Sequence, residues 1–303
     1  MTATTLIIDC DPGVDDAIAL VLALASPELD LAAVTTIAGN RPLDIVTANA
    51  CGLMALAGRA DVPVHAGCRR GLLPREVRWS YAHGDDGLGG VPLPAARPAP
   101  AAGHAADALV ERIMAAPPQS VVLAAIGPLT NVALAFAKAP ELPARLKRLV
   151  VMGGAVGVPG NITPMAEFNV MHDPVAAHIV LSSGAGVDLF GLNLTRQVRV
   201  DAAFWTEIER AGTPCCRAVA SMLAAYAARD PAIHDACTIA YLLAPHLFTA
   251  RPMRIAVDYR PGPTEGATLI DPAADAAAPR VDVVETVDVP AVLRLVADRL
   301  TTL

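Results

Sequence analysis

The stretch DCDPGVDDAIAL, residues 9 to 20, places Asp9, Asp11, Asp15 and Asp16 within eight positions. Carboxylates this close repel one another unless a proton or a cation intervenes. Each one alone has an ordinary explanation. An aspartate at a helix start accepts from free backbone N–H groups and complements the helix dipole, which accounts for Asp15 or Asp16. It does not account for the group. All-oxygen ligation by crowded carboxylates suits a hard divalent ion, Ca2+ or Mg2+, so a bound metal is the chemistry this stretch points to.

Such a cluster needs elements that bring it to one place. TLIID reads as a strand, Pro12-Gly13 as a turn, and Asp15 to Ala25 as a helix that stops at Ser26-Pro27. The alternation continues. LAAVTTIAG precedes the helical IVTANACGLMALAG, and PVHAG is a short strand. SVVLAAIG leads into PLTNVALAFAKA, with Pro128 suited to a first helical turn and Pro140 to a stop. RLVVMGG and VDLFGL are strands on either side of DPVAAHIVLSSG, a helix with Asp173 as N-cap, Pro174 at its first position and Gly184 as C-cap. Continuous apolar strands alternating with helices define an α/β fold: a mainly parallel, Rossmann-like open sheet flanked by helices. Beyond about residue 195 the pattern turns helical, through DAAFWTEIERAG, CCRAVASMLAAYAARD and HDACTIAYLLA. MRIAVDY, ATLID and RVDVVETV follow as a few late strands, read as antiparallel. In such sheets ligands bind where strands end and helices begin, which is where Asp11 falls. The Pro-, Gly- and Arg-rich stretch from Arg69 to Gly103 is long for a connection and reads as a lid or binding loop.

Composition narrows the classes. Of 303 residues, 54% are hydrophobic and 17% charged, which suits strands buried on both faces. The pattern shows no repeat and no linker, and the whole chain, 1–303, is read as one domain. A net charge of −7 argues against nucleic acid and anionic membranes as partners. The longest apolar run, AIALVLALA, falls short of the roughly 18 residues a membrane helix needs. The N-terminus lacks the basic region and cleavage site of a signal peptide. The six cysteines have no zinc-site spacing and read as buried, reduced thiols of a cytoplasmic protein.

Two families open with acidic residues at the end of a first strand. The haloacid-dehalogenase-like phosphatases need a threonine or valine two residues after the second aspartate, a downstream lysine and a second acidic pair; here Asp9-Cys10-Asp11 is followed by Pro12-Gly13, and no GDxxxD pair is seen. The other resemblance is closer. DCDPGVDDAIAL looks like the nucleoside hydrolase signature, and supporting motifs follow in order: TTIAGN with Asn40, HGDDGLGG with His83, AIGPLTNVALA with Ile126, VVMGGAV with Met152, GNITPMAEFNVMHDPVAAHIVL with Asn161, Glu167, Phe168 and Asn169, and IHDA with His234 and Asp235. The similarity runs from residue 6 to about 240.

The resemblance implies hydrolysis of the N-glycosidic bond of a small-molecule ribonucleoside, through a ribosyl oxocarbenium-like transition state. It implies Ca2+ held by Asp11, Asp16, Asp235 and the carbonyl of Ile126. Asp11 would take the proton of the attacking water and Asn40 would orient that water. Asp15, Asn169 and Asp235 would engage the 2′- and 3′-hydroxyls, and Asn161 and Glu167 the 5′-hydroxyl. Met152 would lie beneath the sugar. Asn161 and Asn169, read without the resemblance, are turn-forming amides on a Gly/Pro-rich loop. His234 would protonate the leaving base, since its ordinary pKa lies near neutrality. Its presence points to the inosine-uridine- or pyrimidine-preferring branch. His83 and Tyr226 are candidates for base contact, and Phe168 for lining the pocket. Asp230-Pro231 should interrupt any continuous helix between Tyr226 and His234. Dimers or tetramers are also implied. A nucleoside phosphorylase would need a cationic phosphate pocket, which an acidic cup is not. A non-catalytic calcium- or nucleoside-binding module would have lost a motif position, and every position is filled.

Overall fold

The structure is a computed structural model that describes residues 3–73, 79–272 and 279–303. The first half of the chain alternates strand and helix: β1 (Thr4–Cys10), α1 (Val14–Leu24), β2 (Leu29–Thr36), α2 (Leu43–Leu56), β3 (Val64–Ala66), α3 (Ala105–Ala115), β4 (Val121–Ala125), α4 (Thr130–Lys138), α5 (Leu142–Arg145) and β5 (Arg148–Met152). Two helices, α6 (Phe168–His172) and α7 (Pro174–Leu181), lead to β6 (Val187–Phe190). A helical stretch follows: α8 (Leu192–Thr195), α9 (Ala202–Arg210), α10 (Pro214–Ala227) and α11 (Ala236–Leu243). The chain closes with β7 (Phe248–Met253), β8 (Ile255–Val257), β9 (Thr268–Ile270), β10 (Val281–Val287) and α12 (Val289–Leu300).

Eight strands form one sheet in the order β3-β2-β1-β4-β5-β6-β10-β7. Every pairing is parallel except that of β7 with β10. From β1 the chain first builds outward through β2 and β3, then returns to build the other way from β4. The ends of β1 and β4 therefore flank a topological switch point, where a crevice opens.

Side chains alternate along each strand and feed two cores. Leu6, Ile8 and Cys10 of β1 pack with α1, α2, α10, α11 and α12 on one face. Ile7 faces the opposite core, with residues of α3, α4, α5 and α7. This two-sided burial explains why the strands read as continuous apolar runs.

The mainly parallel, helix-flanked sheet agrees with the reading of the sequence. The late strands depart from it in part. β10 is antiparallel to β7 but parallel to β6, so it extends the main sheet. MRIAVDY is not one strand: Met253 ends β7 and Ile255 begins β8, which pairs with β9 as a separate antiparallel ribbon. β7 itself, FTARPM, carries Pro252, which is tolerated because β7 is the last strand of the sheet. α4 starts at Thr130, two residues after Pro128. Asp173 caps α7 as expected, its Oδ1 accepting from Ala176 N at 3.0 Å; the C-cap is Ser182, and Gly184 follows with φ of +78°. All six cysteines are free, five buried and Cys68 partly so. Among the described residues no helix is long and apolar enough to cross a membrane.

Candidate active site

Asp11 is the first residue beyond β1, and two glycines make room for it. A Cβ on Gly39, in the loop after β2, would overlap Asp11 Oδ2, and one on Gly127, after β4, would lie 2.6 Å from Oδ1. TTIAGN and AIGPLTN thus shape the walls around one carboxylate. Asn40 completes the setting: its backbone N–H donates to Asp11 Oδ2 at 2.5 Å, and its Nδ2 to the Asp11 carbonyl at 3.2 Å and to Asp16 Oδ2 at 3.1 Å.

Asp16 has the capping role and something further. Its carboxylate accepts from Asp11 N and Gly13 N, both at 3.0 Å, closing the Pro12-Gly13 turn onto the first turn of α1. It also lies in a group with Asp15 and Asp235 whose ligand atoms fall within 4.8 Å of one another. Asp235 stands at the N-cap of α11 yet makes no capping bond, so its side chain is free to face the cluster. Asp11 adjoins the group in hydrogen-bond contact with Asp16. All four residues are at least nine-tenths buried.

Burial and mutual repulsion leave these acids poorly ionised without a counter-charge. Burial first, then Asp16, holds Asp11 well above the usual carboxylate range. Burial, then Asp15, pushes Asp16 up to about 7. Burial, then Asp15, Asp16 and Asp11, raises Asp235. Asp15 Oδ1 is buried with no hydrogen-bond partner. Orphaned, crowded, all-oxygen donors fit a hard divalent cation.

Asp9 does not join the cluster. The strand's pleat turns it toward α4, where Asn131 Nδ2 donates to its Oδ1 at 2.9 Å, alongside Thr35 Oγ1 of the neighbouring β2 at 2.5 Å. Burial raises its pKa to about 7 against those two bonds.

A cavity of about 510 Å³ opens beside the cluster. Asp11, Asp15, Asn40, His83, Ile126, Met152, Asn161, Glu167, Phe168, Asn169, Tyr226, His234 and Asp235 all line it, so every anticipated site residue except Asp16 faces this space, and Asp16 lies directly behind. Asn169 Nδ2 donates to the Ile126 carbonyl at 2.8 Å and approaches Met152 Sδ at 3.5 Å. Glu167 caps α6: its carboxylate accepts from Asn169 N (2.8 Å), Gly154 N (2.9 Å) and Val170 N (3.1 Å). Asn161 accepts from Phe168 N through Oδ1 at 2.9 Å, leaving its amide NH2 as a donor.

Two histidines line the same cavity close to the cluster. His83 Nδ1 accepts from Val14 N at 3.1 Å and lies 3.7 Å from Asp15, and its ring stacks on Tyr226 at 4.9 Å. Burial lowers its pKa, Asp15 opposing. The loop carrying it is fastened by Asn49, whose Nδ2 donates to the carbonyls of Pro12 (3.1 Å) and Asp86 (2.8 Å). His234 lies in the break between α10 and α11, as anticipated from Asp230-Pro231. Burial would lower its pKa, but its hydrogen bond to Asp230 and the charges of Asp15, Asp230 and Glu167 outweigh that and raise it.

Sequence reasoning missed Trp79, Ser80, Tyr81, Ala82, Ile162, Arg229 and Asp230, which also line the cavity. Residues 79 to 82 belong to the long loop read as a binding segment. Asp230, four residues before His234, was the one with a visible signal. Of the loop arginines, Arg69 pairs with Asp44 at 2.9 Å, while Arg75 and Arg78 lie outside the described residues.

The model of the inosine-uridine preferring nucleoside hydrolases matches residues 6–294, and the chain belongs to that family. It is 41% identical over 278 residues to a pyrimidine-specific ribonucleoside hydrolase, RihA, of Salmonella paratyphi A, covering 89% of each chain. Among solved structures it resembles a plant nucleoside hydrolase, PpNRh1 (TM-score 0.94, 34% identity, all of both chains), and a purine-preferring ribonucleoside hydrolase from Gardnerella vaginalis (TM-score 0.93, 30% identity, 98% of both).

Proposed function

We propose that the protein hydrolyses the N-glycosidic bond of ribonucleosides to ribose and free base, with Ca2+ as its resident ion. The observation that carries this reading is the buried group of Asp11, Asp15, Asp16 and Asp235 opening onto a cavity that His83 and His234 also line. Asp11, Asp16, Asp235 and the Ile126 carbonyl would hold the ion. When bound, it offsets the crowded charge and acidifies a water.

The remaining work belongs to the chain. Asp11, fixed by Gly39, Gly127 and Asn40, accepts the water's proton, and Asn40 orients that water. Asp15, with an unpartnered oxygen, binds a ribose hydroxyl together with Asn169 and Asp235. The Asn161 amide reaches the 5′-hydroxyl, and Glu167 holds that wall in shape while adding negative charge near it. Met152 lies beneath the sugar, and Phe168 and Tyr226 line the pocket. His234 donates a proton to the departing base, with His83 contacting it. A cytoplasmic site of action agrees with six free cysteines, and assembly into dimers or tetramers belongs to the same reading.

The test is ribose release from inosine, adenosine, guanosine, uridine and cytidine, with and without chelator and phosphate. Ribose and free base should form without phosphate, and chelation should stop the reaction until Ca2+ is returned. Uridine 5′-monophosphate should be a poor substrate, because its dianion meets an acidic cavity. Phosphate-dependent cleavage, or full activity after the metal is stripped, would overturn the proposal.

A further inference from the structure

Both ring nitrogens of His234 are already engaged. Nδ1 lies 2.7 Å from Thr195 Oγ1, and Nε2 lies 3.2 Å from Asp230 Oδ2. An ionised carboxylate only accepts, so Nε2 carries a hydrogen. The two partners differ in how they are held. Thr195 ends α8 and is wholly buried. Its neighbour Arg196 is clamped in turn, donating to the carbonyls of Pro159 (2.7 Å) and Gly160 (2.9 Å), just before Asn161. Thr195 is thus shut off from solvent and does not line the cavity. Asp230 sits in the turn between α10 and α11 and lines the cavity, and its side chain is 37% exposed. Its other oxygen accepts from Ala232 N at 3.0 Å. Nε2 is therefore the only ring nitrogen whose partner is able to give way to a ligand.

We propose that Thr195 and Asp230 are positioning residues for protonation of the leaving base. Thr195 commits Nδ1 and fixes the ring plane, so Nε2 is the nitrogen that meets the base. Asp230 holds the Nε2–H at the cavity wall until an acceptor atom of the base takes its place. In the step itself the C1′–N bond breaks and its electron pair stays with the base. The Nε2 proton of the imidazolium passes to the base, and the ring is left neutral, its remaining hydrogen on Nδ1 and shared with Thr195 Oγ1. This rests on the reading of His234 as the acid.

The experiment compares kcat on inosine and uridine with kcat on p-nitrophenyl riboside, whose leaving group departs without a proton. Thr195→Val, Thr195→Ser, Asp230→Asn and His234→Ala are measured side by side, with calcium content as a check on folding. General acid catalysis contributes roughly 10²–10⁴-fold. His234→Ala should lower the nucleoside-to-nitrophenyl ratio by about that factor. Thr195→Val and Asp230→Asn should each lower it about tenfold or more, and Thr195→Ser, which keeps the hydroxyl, should hold it near the unaltered protein. If Thr195→Val does not fold, Asp230→Asn decides, since Asp230 lies on a partly exposed turn. A selective loss in His234→Ala with none in Asp230→Asn overturns the positioning roles and leaves the acid. Equal losses on both substrates in His234→Ala overturn the acid, and the positioning roles with it.

Discussion

Asp11 shows how much of the site is decided one residue at a time. Two missing Cβ atoms and one backbone N–H define where its carboxylate sits. Asp11→Asn keeps the shape but removes the proposed proton acceptor and a negative charge. It should lower kcat by about 10²-fold or more on nucleoside and nitrophenyl riboside alike, because water activation serves both. Retention of activity on either substrate would remove Asp11 from that role. Away from the cavity, Asp188 on β6 is pushed up to about 6 by burial, against Arg148 at 3.0 Å and the Tyr241 hydroxyl. A raised carboxylate pKa means the folded protein holds a proton that the unfolded chain has already lost. The associated stability is complete below about pH 4 and disappears as pH rises through 6. Replacing Asp188 by Asn should therefore flatten the fall in Tm between pH 4 and 6, measured at saturating calcium. An unchanged slope would mean that Asp188 titrates normally.

At the level of elements, α6 is a five-residue helix held by one side chain. Glu167 satisfies three backbone N–H groups, including that of Gly154 beyond β5, and so ties the start of α6 to the end of the sheet. Glu167→Ala strands those donors and should cost about 2 kcal/mol or more by denaturant titration, with KM rising more than kcat falls. Glu167→Gln, which keeps one oxygen, should cost less, and equal costs would assign the effect to packing. What the sequence made legible follows the same division. The turn after β1 was readable because Asp, Pro and Gly at fixed spacing have local consequences. Asp9 was not, since only the phase of the pleat tells that it faces α4 rather than the cluster. Thr195 was not either: it meets His234 across 39 residues, with no periodicity to announce it. β7 was hidden by its polar residues and Pro252, which an edge strand accommodates. α12 was readable in principle, from Val292, Val296 and Leu300 on one buried side at helical spacing.

On the scale of the whole molecule, the acidic cluster joins distant parts of the chain, since Asp15 and Asp16 meet Asp235. An ion bound there cross-links the first helix of the fold to α11. Stripping it should lower Tm by several degrees, and a hundredfold excess of Ca2+ over its Kd should return about 2.7 kcal/mol. A melting curve indifferent to chelator would mean that the cluster holds no structural cation. The placement of β10 bears on how the protein is made. β10 covers the side of β6 that faces away from β5, although it lies about ninety residues further along the chain. A ribosome delivers the chain from its N-terminus at roughly 5–20 residues per second. For roughly 5 to 20 seconds, then, a nascent chain holds Val187–Phe190 with one side paired and the other bare. Bare strand edges template association with other chains. In the interval before β10 emerges that edge is unprotected, and translation stalled there should yield aggregates rather than a soluble fragment.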